Sequence, residues 1–241
     1  MDYATWAPLY ERIRAEFGFP FDREEDAAAR LAALLPPPAR ADPIARIEPL
    51  LRGRDAIIVG SAPSAGPPPL WRYPGGTRAP GIVCADGATS TCLAAGIVPT
   101  VVVTDLDGPV AAEVTANRRG AFVLVHAHGD NRAALDEWVP QFPGELGGSW
   151  AGPPRGPLIN VGGFTDGDRA AHLAAHCGAE RLLLWGFDFE RVEEADAPSR
   201  ARKLAKLAWA RRSLDLLAAR PAPPILTWRP DGSIVAYPAD R

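Results

Sequence analysis

The sequence predicts a doubly wound α/β protein: a mostly parallel sheet with helices on both faces, preceded by a helical segment and followed by a hairpin. Three observations lead there. From Arg54 onward short, continuous apolar runs recur: AIIVG (56–60), GIVCAD (81–86), VVVTD (101–105), FVLVH (122–126), LIN (158–160) and RLLLWG (181–186). Between them lie the helix-like stretches ATSTCLAAG, PVAAEVTANR, NRAALDEWV and TDGDRAAHLAAH, the alternation expected of parallel strands covered on both faces. Strand after strand also ends in Asp, His or Gly, at the edge where open α/β sheets bind ligands.

The elements follow in order. Residues 1–53 form a helical segment. Trp6, Leu9, Tyr10, Ile13 and Phe17 fall at helical spacing. Asp22 is placed to cap a second helix through AAARLAALL that stops before the prolines at 36–38, and a short third helix follows Pro43. Residues 54–220 are the α/β unit, in which SAPSAGPPPLWRYPGGTRAP and QFPGELGGSWAGPPRGP read as proline- and glycine-rich loops and 198–219 as a long basic helix. Residues 221–241 pack on it as a hairpin, with ILTWRPDGSIVAY turning on Pro230, Asp231 and Gly232.

Composition narrows the function classes. The chain has 241 residues, 47% hydrophobic and 23% charged, with a net charge of −3, so wholesale nucleic-acid or membrane binding is not expected. An anionic ligand would need local positive groups or a metal. Cys84, Cys92 and Cys177 are scattered and odd in number, which predicts a reducing, cytoplasmic setting and argues against a disulfide framework or a zinc site. The first residues are charged throughout rather than signal-like, and no apolar stretch approaches the ~20 residues of a membrane span. Of 26 basic residues, two are lysines, Lys203 and Lys206, three apart on the long helix.

The strand ends carry the candidate chemistry. They read Asp86-Gly87, Asp105-x-Asp107-Gly108, His126-x-His128-Gly129-Asp130-Asn131 and Gly162-Gly163-x-x-Asp166-Gly167-Asp168. Carboxylates converging on one edge repel unless a cation sits among them. Mg²⁺ suits such a place, taking one or two carboxylates and completing its shell with water and phosphate oxygens. Asp107 is alternatively a helix cap ahead of Pro109, but two acids with polar neighbours at three other strand ends favour a metal–phosphate site held by Asp105 and Asp107. In GSAPSAG (60–66), Gly60, Ser61, Pro63 and Ser64 offer backbone N–H groups to a phosphate, although the run reads equally well as a proline-rich turn. Thr165 and Asp168 resemble a capping box, and the preceding Gly162 and Gly163 permit close approach to a ligand. His126, His128, Asp130 and Asn131, or His172 and His176, carry a weaker transition-metal reading. Lys203 and Lys206, with Arg200 and Arg202 nearby, form either a solvated face or a phosphate contact.

Taken together, the strings VGSAPS, ADGAT, TDLDG, VHAHGDN, NVGGFTDGDRA, WGFDF and KLAKLAWA, in this order between Ile57 and Ala210, resemble the archaeal-type 6-hydroxymethyl-7,8-dihydropterin pyrophosphokinases, themselves related to thiamine pyrophosphokinases. The resemblance implies Mg²⁺-dependent transfer of diphosphate from ATP to the hydroxymethyl oxygen of a reduced pterin, releasing AMP, in folate or methanopterin synthesis. It implies that Asp105 and Asp107 match the acidic metal-binding motif, Asp130 and Asn131 a second polar motif, and residues 163–168 the glycine-containing loop. The first loop departs from the usual form, which has a second glycine before the proline and a bulky residue after the serine. In this reading Asp130 orients or deprotonates the hydroxyl, and Lys203 or Lys206 offsets phosphate charge. Asp86, Gly87, His128, Asn131, Gly162, Gly163, Thr165, Asp166 and Asp168 contact ATP or the acceptor. Trp185 or Phe187 is available to stack on the pterin, although core packing suits both. A homo-oligomer is compatible with this reading. The alternatives are transfer to thiamine or another alcohol, a glycosyltransferase of the motility-associated type using a sugar nucleotide, and a nucleotide-binding module without catalysis.

Overall fold

The structure, a computed structural model, describes residues 1–62, 65–75, 78–193, 196–221 and 223–238. Three helices come first: α1 (Tyr3–Phe17), α2 (Phe21–Leu34) and α3 (Pro43–Leu51). Asp2 caps α1 by accepting the Thr5 N–H at 2.8 Å, and Asp42 caps α3 by accepting the Ile44 N–H at 2.9 Å. Asp22 is not a cap as expected. Helix α2 begins one residue earlier, after Pro20, and Asp22 lies in its first turn, where a carboxylate still meets the positive end of the helix dipole.

Next come β1 (Asp55–Val59), β2 (Gly81–Ala85), α4 (Ala88–Ala94), β3 (Val101–Thr104), α5 (Val110–Arg118), β4 (Phe122–Ala127), α6 (Arg132–Trp138), β5 (Leu146–Trp150), β6 (Leu158–Ile159), α7 (Asp166–His176), β7 (Arg181–Trp185), α8 (Ala197–Ala218), β8 (Ile225–Trp228) and β9 (Ile234–Ala236). The nine strands form one sheet ordered β6-β5-β4-β3-β2-β1-β7-β8-β9. All pairings are parallel except β8 with β9, the hairpin that turns at residues 229–233. Strand β5 corrects the sequence reading, which placed these residues in a loop. Its LGGSW looks like a turn, but a Cβ on Gly148 would lie 2.4 Å from Leu158 and 3.1 Å from Leu35. The missing side chain is filled by neighbours, so the strand packs without apolar residues of its own there.

Alternation sends side chains to two cores. Ala56, Ile58, Val101, Val103, Phe122 and Leu124 meet α3, α7 and α8 on one face. Val102, Val123 and Val125 meet α2, α5 and α6 on the other, while Ile57, Val59, Cys84, Leu183 and Trp185 meet α4. Trp6, Tyr10 and Ile13 of α1 pack with Trp209 of α8. Among the described residues no helix is long and apolar enough to cross a membrane.

The strand order contains one reversal. The chain steps outward from β1 to β6, returns along α7 across β3, β2 and β1, and adds β7 on the far side of β1. At the amino ends of β1 and β7 the buried Asp55 joins the two strands, accepting from Arg181 Nε at 2.9 Å and the Tyr73 hydroxyl at 2.6 Å. At the carboxyl ends the backbones touch: Gly60 N–H donates to Trp185 O at 2.8 Å and Ala62 N–H to Gly186 O at 3.0 Å. A Cβ on Gly60 would lie 2.5 Å from Gly186 O, and one on Gly186 would lie 2.5 Å from Gly60 O. We expect Gly60→Ala to force these strand ends apart and cost about 1–3 kcal/mol, the scale of an overpacked interior, measured by denaturant unfolding.

Candidate active site

The strand reversal between β1 and β7 leaves a crevice at their carboxyl ends. There a cavity of about 380 Å³ is lined by Gly60, Ser61 and Ala62 from the first loop, Asp86, Asp105 and Asp107 from the next two strand ends, and Phe164 to Gly167 before and within α7. Gly186 to Phe189, Arg191, Val192 and Glu193 follow from the loop after β7, with Lys203, Lys206, Leu207 and Ala210 from α8. The lining combines ionic groups with the apolar side chains of Phe164, Phe187 and Phe189. Across Gly60–Ala62 lies a second hollow of about 390 Å³, lined also by Gly87, Ser90, Thr91 and Pro109. Pro63 and Ser64 lie outside the described residues.

Asp86, Asp105 and Asp107 each offer a carboxylate oxygen within 4.8 Å of the others, and among the described residues they are the group whose geometry suits a metal ion. Asp107 is no cap: the N-cap position of α5 is Pro109, and no side chain caps the helix. Burial and the charges of Asp105 and Asp86 push the Asp107 carboxyl up to about 6, opposed by Lys203. Burial, the largest influence, opposes ionisation of Asp105, but the contacts with His128 and Asp107 and the charge of Arg169 together hold that carboxyl below its ordinary value. The backbone is strained at this rim: Asp86 and Leu106 have φ of 39° and 67°. A leucine there is unfavourable by about 1–3 kcal/mol. It is held by its buried side chain and by its N–H, which donates to Thr104 Oγ1 at 2.9 Å. Thr104 Oγ1 in turn donates to Asp86 Oδ1 at 3.2 Å. Gly108 leaves room for that carboxylate, since a Cβ there would lie 2.2 Å from Asp86 Oδ2.

Behind the acids is a brace. Asn131 Nδ2 donates to Asp105 O at 2.7 Å and to His126 O at 2.8 Å, and its Oδ1 accepts the His128 N–H at 3.1 Å. His126 is buried between Ser149 Oγ (3.1 Å) and Arg169 Nη2 (3.0 Å), and burial pulls its pKa well down. Arg169 also pairs with Asp166 at 3.2 Å. Burial and the nearby Asp105 push Asp166 well above the usual carboxyl range. Glu113 of α5 is fully buried with neither carboxylate oxygen hydrogen-bonded, and burial beside Asp86 raises it to about 9.

Several sequence expectations are revised by position. Asn131 does not face the cavity, because its amide ties the β3 loop to the β4 loop. Asp168 is fully buried, and its oxygens accept from Phe164 N, Thr165 N and Thr165 Oγ1, each at 2.7 Å. It completes the expected capping box and leaves no free edge for a ligand. Gly162 and Gly163 have φ of 87° and 92°. A Cβ on Gly163 would lie 2.3 Å from Arg169 Cα, so this glycine admits the helix rather than a ligand. Asp130 is exposed and, like His128, is not among the cavity's lining residues. Gly87 faces the second hollow. His172 is buried against Ser213 Oγ at 2.9 Å and belongs to no group of three metal-capable side chains among the described residues, and burial lowers its pKa to about 3. Trp185 is core, donating to Gly66 O at 3.0 Å, whereas Phe187 lines the cavity. Glu113, Phe164, Phe189 and Arg191 were not anticipated. For Glu113 a signal existed, since it falls with Val110, Val114 and Asn117 on the buried face of α5.

The chain matches known proteins over most of its length. The family described as 6-hydroxymethylpterin diphosphokinase MptE-like matches residues 39–194. Three relatives, each named 6-hydroxymethyl-7,8-dihydropterin pyrophosphokinase, align over 90% of this chain. That from Methanothermobacter thermautotrophicus is 37% identical with 95% of its length covered, that from Pyrococcus furiosus 35% with 94%, and that from Methanocaldococcus jannaschii 32% with 96%.

Asp107 gives a pH test. Its pKa is raised from 3.8 to about 6 in the folded protein, so the ionised form disfavours folding. The penalty is absent below the unfolded value, grows from about pH 4 to pH 6, and is complete above that. In chelator-treated protein, Asp107→Asn is expected to raise the melting temperature by a few degrees at pH 8, the gain fading toward pH 4. A gain independent of pH would contradict the electrostatic cause.

Proposed function

Because the chain belongs to the 6-hydroxymethylpterin diphosphokinase MptE-like family, we propose that it transfers a diphosphate group from ATP to the hydroxymethyl oxygen of 6-hydroxymethyl-7,8-dihydropterin, releasing AMP. The observation that carries this reading is the meeting of three carboxylates and two lysines in one cavity at the strand reversal. Such an arrangement suits a polyphosphate together with a divalent cation, and suits neither ligand alone.

The three acids fit Mg²⁺. Their oxygens are close enough to share one ion, all are hard donors, and each retains lone pairs beyond its protein contacts. When bound by Asp86, Asp105 and Asp107, Mg²⁺ supplies neutralisation of charge on the phosphate oxygens. The rest is the chain's own work. Lys203 and Lys206 present mobile point charges to the phosphates from α8. The Gly60–Ala62 backbone, pinned against Gly186, forms the floor along which donor and acceptor are aligned, and alignment is a large part of catalysis for a reaction with a loose transition state. Phe187 and Phe189, whose ring centroids lie 6.1 Å apart, give the cavity an apolar surface for a flat heterocycle. To orient the acceptor hydroxyl, and not to deprotonate it, we assign Asp166 rather than Asp130, since Asp166 lines the cavity and Asp130 does not.

The test is incubation with ATP, Mg²⁺ and the reduced pterin, followed by separation of nucleotides. AMP is the expected product. ADP would indicate transfer of a single phosphoryl group, and AMP formed with thiamine but not with the pterin would change the acceptor. Asp105→Asn and Asp107→Asn are each expected to lower turnover by at least about 100-fold with the fold retained by circular dichroism. Near-normal turnover in both would remove the cation from the reading.

A further inference from the structure

His128 sits outside the cavity and yet touches its chemistry. Its Nε2 lies 3.3 Å from Asp105 Oδ2, and its Nδ1 accepts the backbone N–H of Asp130 at 3.3 Å. The second contact decides the first. A ring nitrogen that accepts from an amide carries no proton, so the proton of the ring is on Nε2 and is donated to Asp105. The ring is held at both nitrogens by these two contacts, and its backbone is tied to that of Asp105 through Asn131, whose Oδ1 accepts the His128 N–H and whose Nδ2 donates to Asp105 O. The other oxygen of Asp105, Oδ1, accepts the Asp107 N–H at 3.3 Å. Both carboxylate oxygens are therefore oriented from behind, and the plane of the group is set before any cation arrives.

We infer that His128 is a positioning residue for the cation site: through Nε2–H it fixes the rotation of the Asp105 carboxylate, so that the free lone pairs converge with those of Asp86 and Asp107. This rests on the cation reading above and deepens it. Outer contacts of this kind raise cation affinity by about 10- to 100-fold in metal sites generally, because a free carboxylate must lose rotation on binding. This effect does not require His128 to touch a substrate.

The experiment measures Mn²⁺ binding to full-length protein without nucleotide or pterin, by loss of the free-ion paramagnetic resonance signal. Three proteins are compared: the unaltered chain, His128→Ala and His128→Gln. Glutamine carries an N–H donor close to the reach of Nε2, so it restores the contact without the ring. The expected result is roughly tenfold weaker Mn²⁺ binding in His128→Ala, recovery to within about threefold in His128→Gln, and a matching shift in the Mg²⁺ concentration for half-maximal AMP release. Circular dichroism spectra in chelator are expected to show the same fold in all three. Equal Mn²⁺ affinity in His128→Ala and the unaltered chain would overturn the inference, as would a glutamine variant no better than the alanine one. An unaltered chain that takes up no Mn²⁺ would overturn the cation reading, and this inference with it.

Discussion

Like charges crowded into a small space set the terms for everything around them. Asp86, Asp105 and Asp107 reach within 4.8 Å of one another at the rim of the sheet, where two unit charges repel by several kcal/mol at an effective dielectric of about 20. The surroundings answer in three ways. Donors hold two of the groups in place: Thr104 for Asp86 and His128 for Asp105. A cation, Lys203, offsets Asp107. The further acids behind and beside them, Glu113 and Asp166, are pushed toward their neutral forms by burial, so the negative charge stays concentrated at the rim facing the cavity.

The fold supplies that rim by its order of strands. With β1 and β7 adjacent and the chain leaving them in opposite directions, the loops beyond their carboxyl ends diverge and a crevice opens. The paired glycines, Gly60 and Gly186, bring the two backbones into direct contact at its base. Strand ends from β2 and β3 then deliver acids from one side, and α8 delivers lysines from the other. Opposite charges thus face each other across a gap, an arrangement that accommodates a ligand bearing charge of its own more readily than a neutral one.

Much of this was legible in the sequence, and the exceptions have physical causes. The parallel strands were visible because burial on both faces makes continuous apolar runs, as in VVV at 101–103. Strand β5 was hidden because Gly147 and Gly148 substitute their neighbours' bulk for their own. The acid-bearing edge followed from topology alone, since all parallel strands end on one side. Which polar residues on that edge face inward did not follow. Asn131 and Asp168 are of the same chemical types as ligand-binding groups, yet one ties two loops and the other closes a helix start. A short polar side chain at a strand end serves either use, and the choice depends on partners distant in the chain. The same holds for Phe187, whose edge rests beside Gly60 and Gly167, a contact that no local pattern encodes.

The return of the chain along α7 has a consequence for how the molecule is assembled. Asp55 and Arg181, which join β1 to β7, are 126 positions apart, so the two walls of the crevice are separated by more than half the polypeptide. Closing so large a loop costs entropy before any contact compensates it, and topologies dominated by such distant pairings fold slowly. During synthesis, the strands bearing the aspartates emerge well before the strand and helix that complete the pocket. The cavity draws its lining from residues 60 to 210, so it cannot be complete until α8 has joined the sheet.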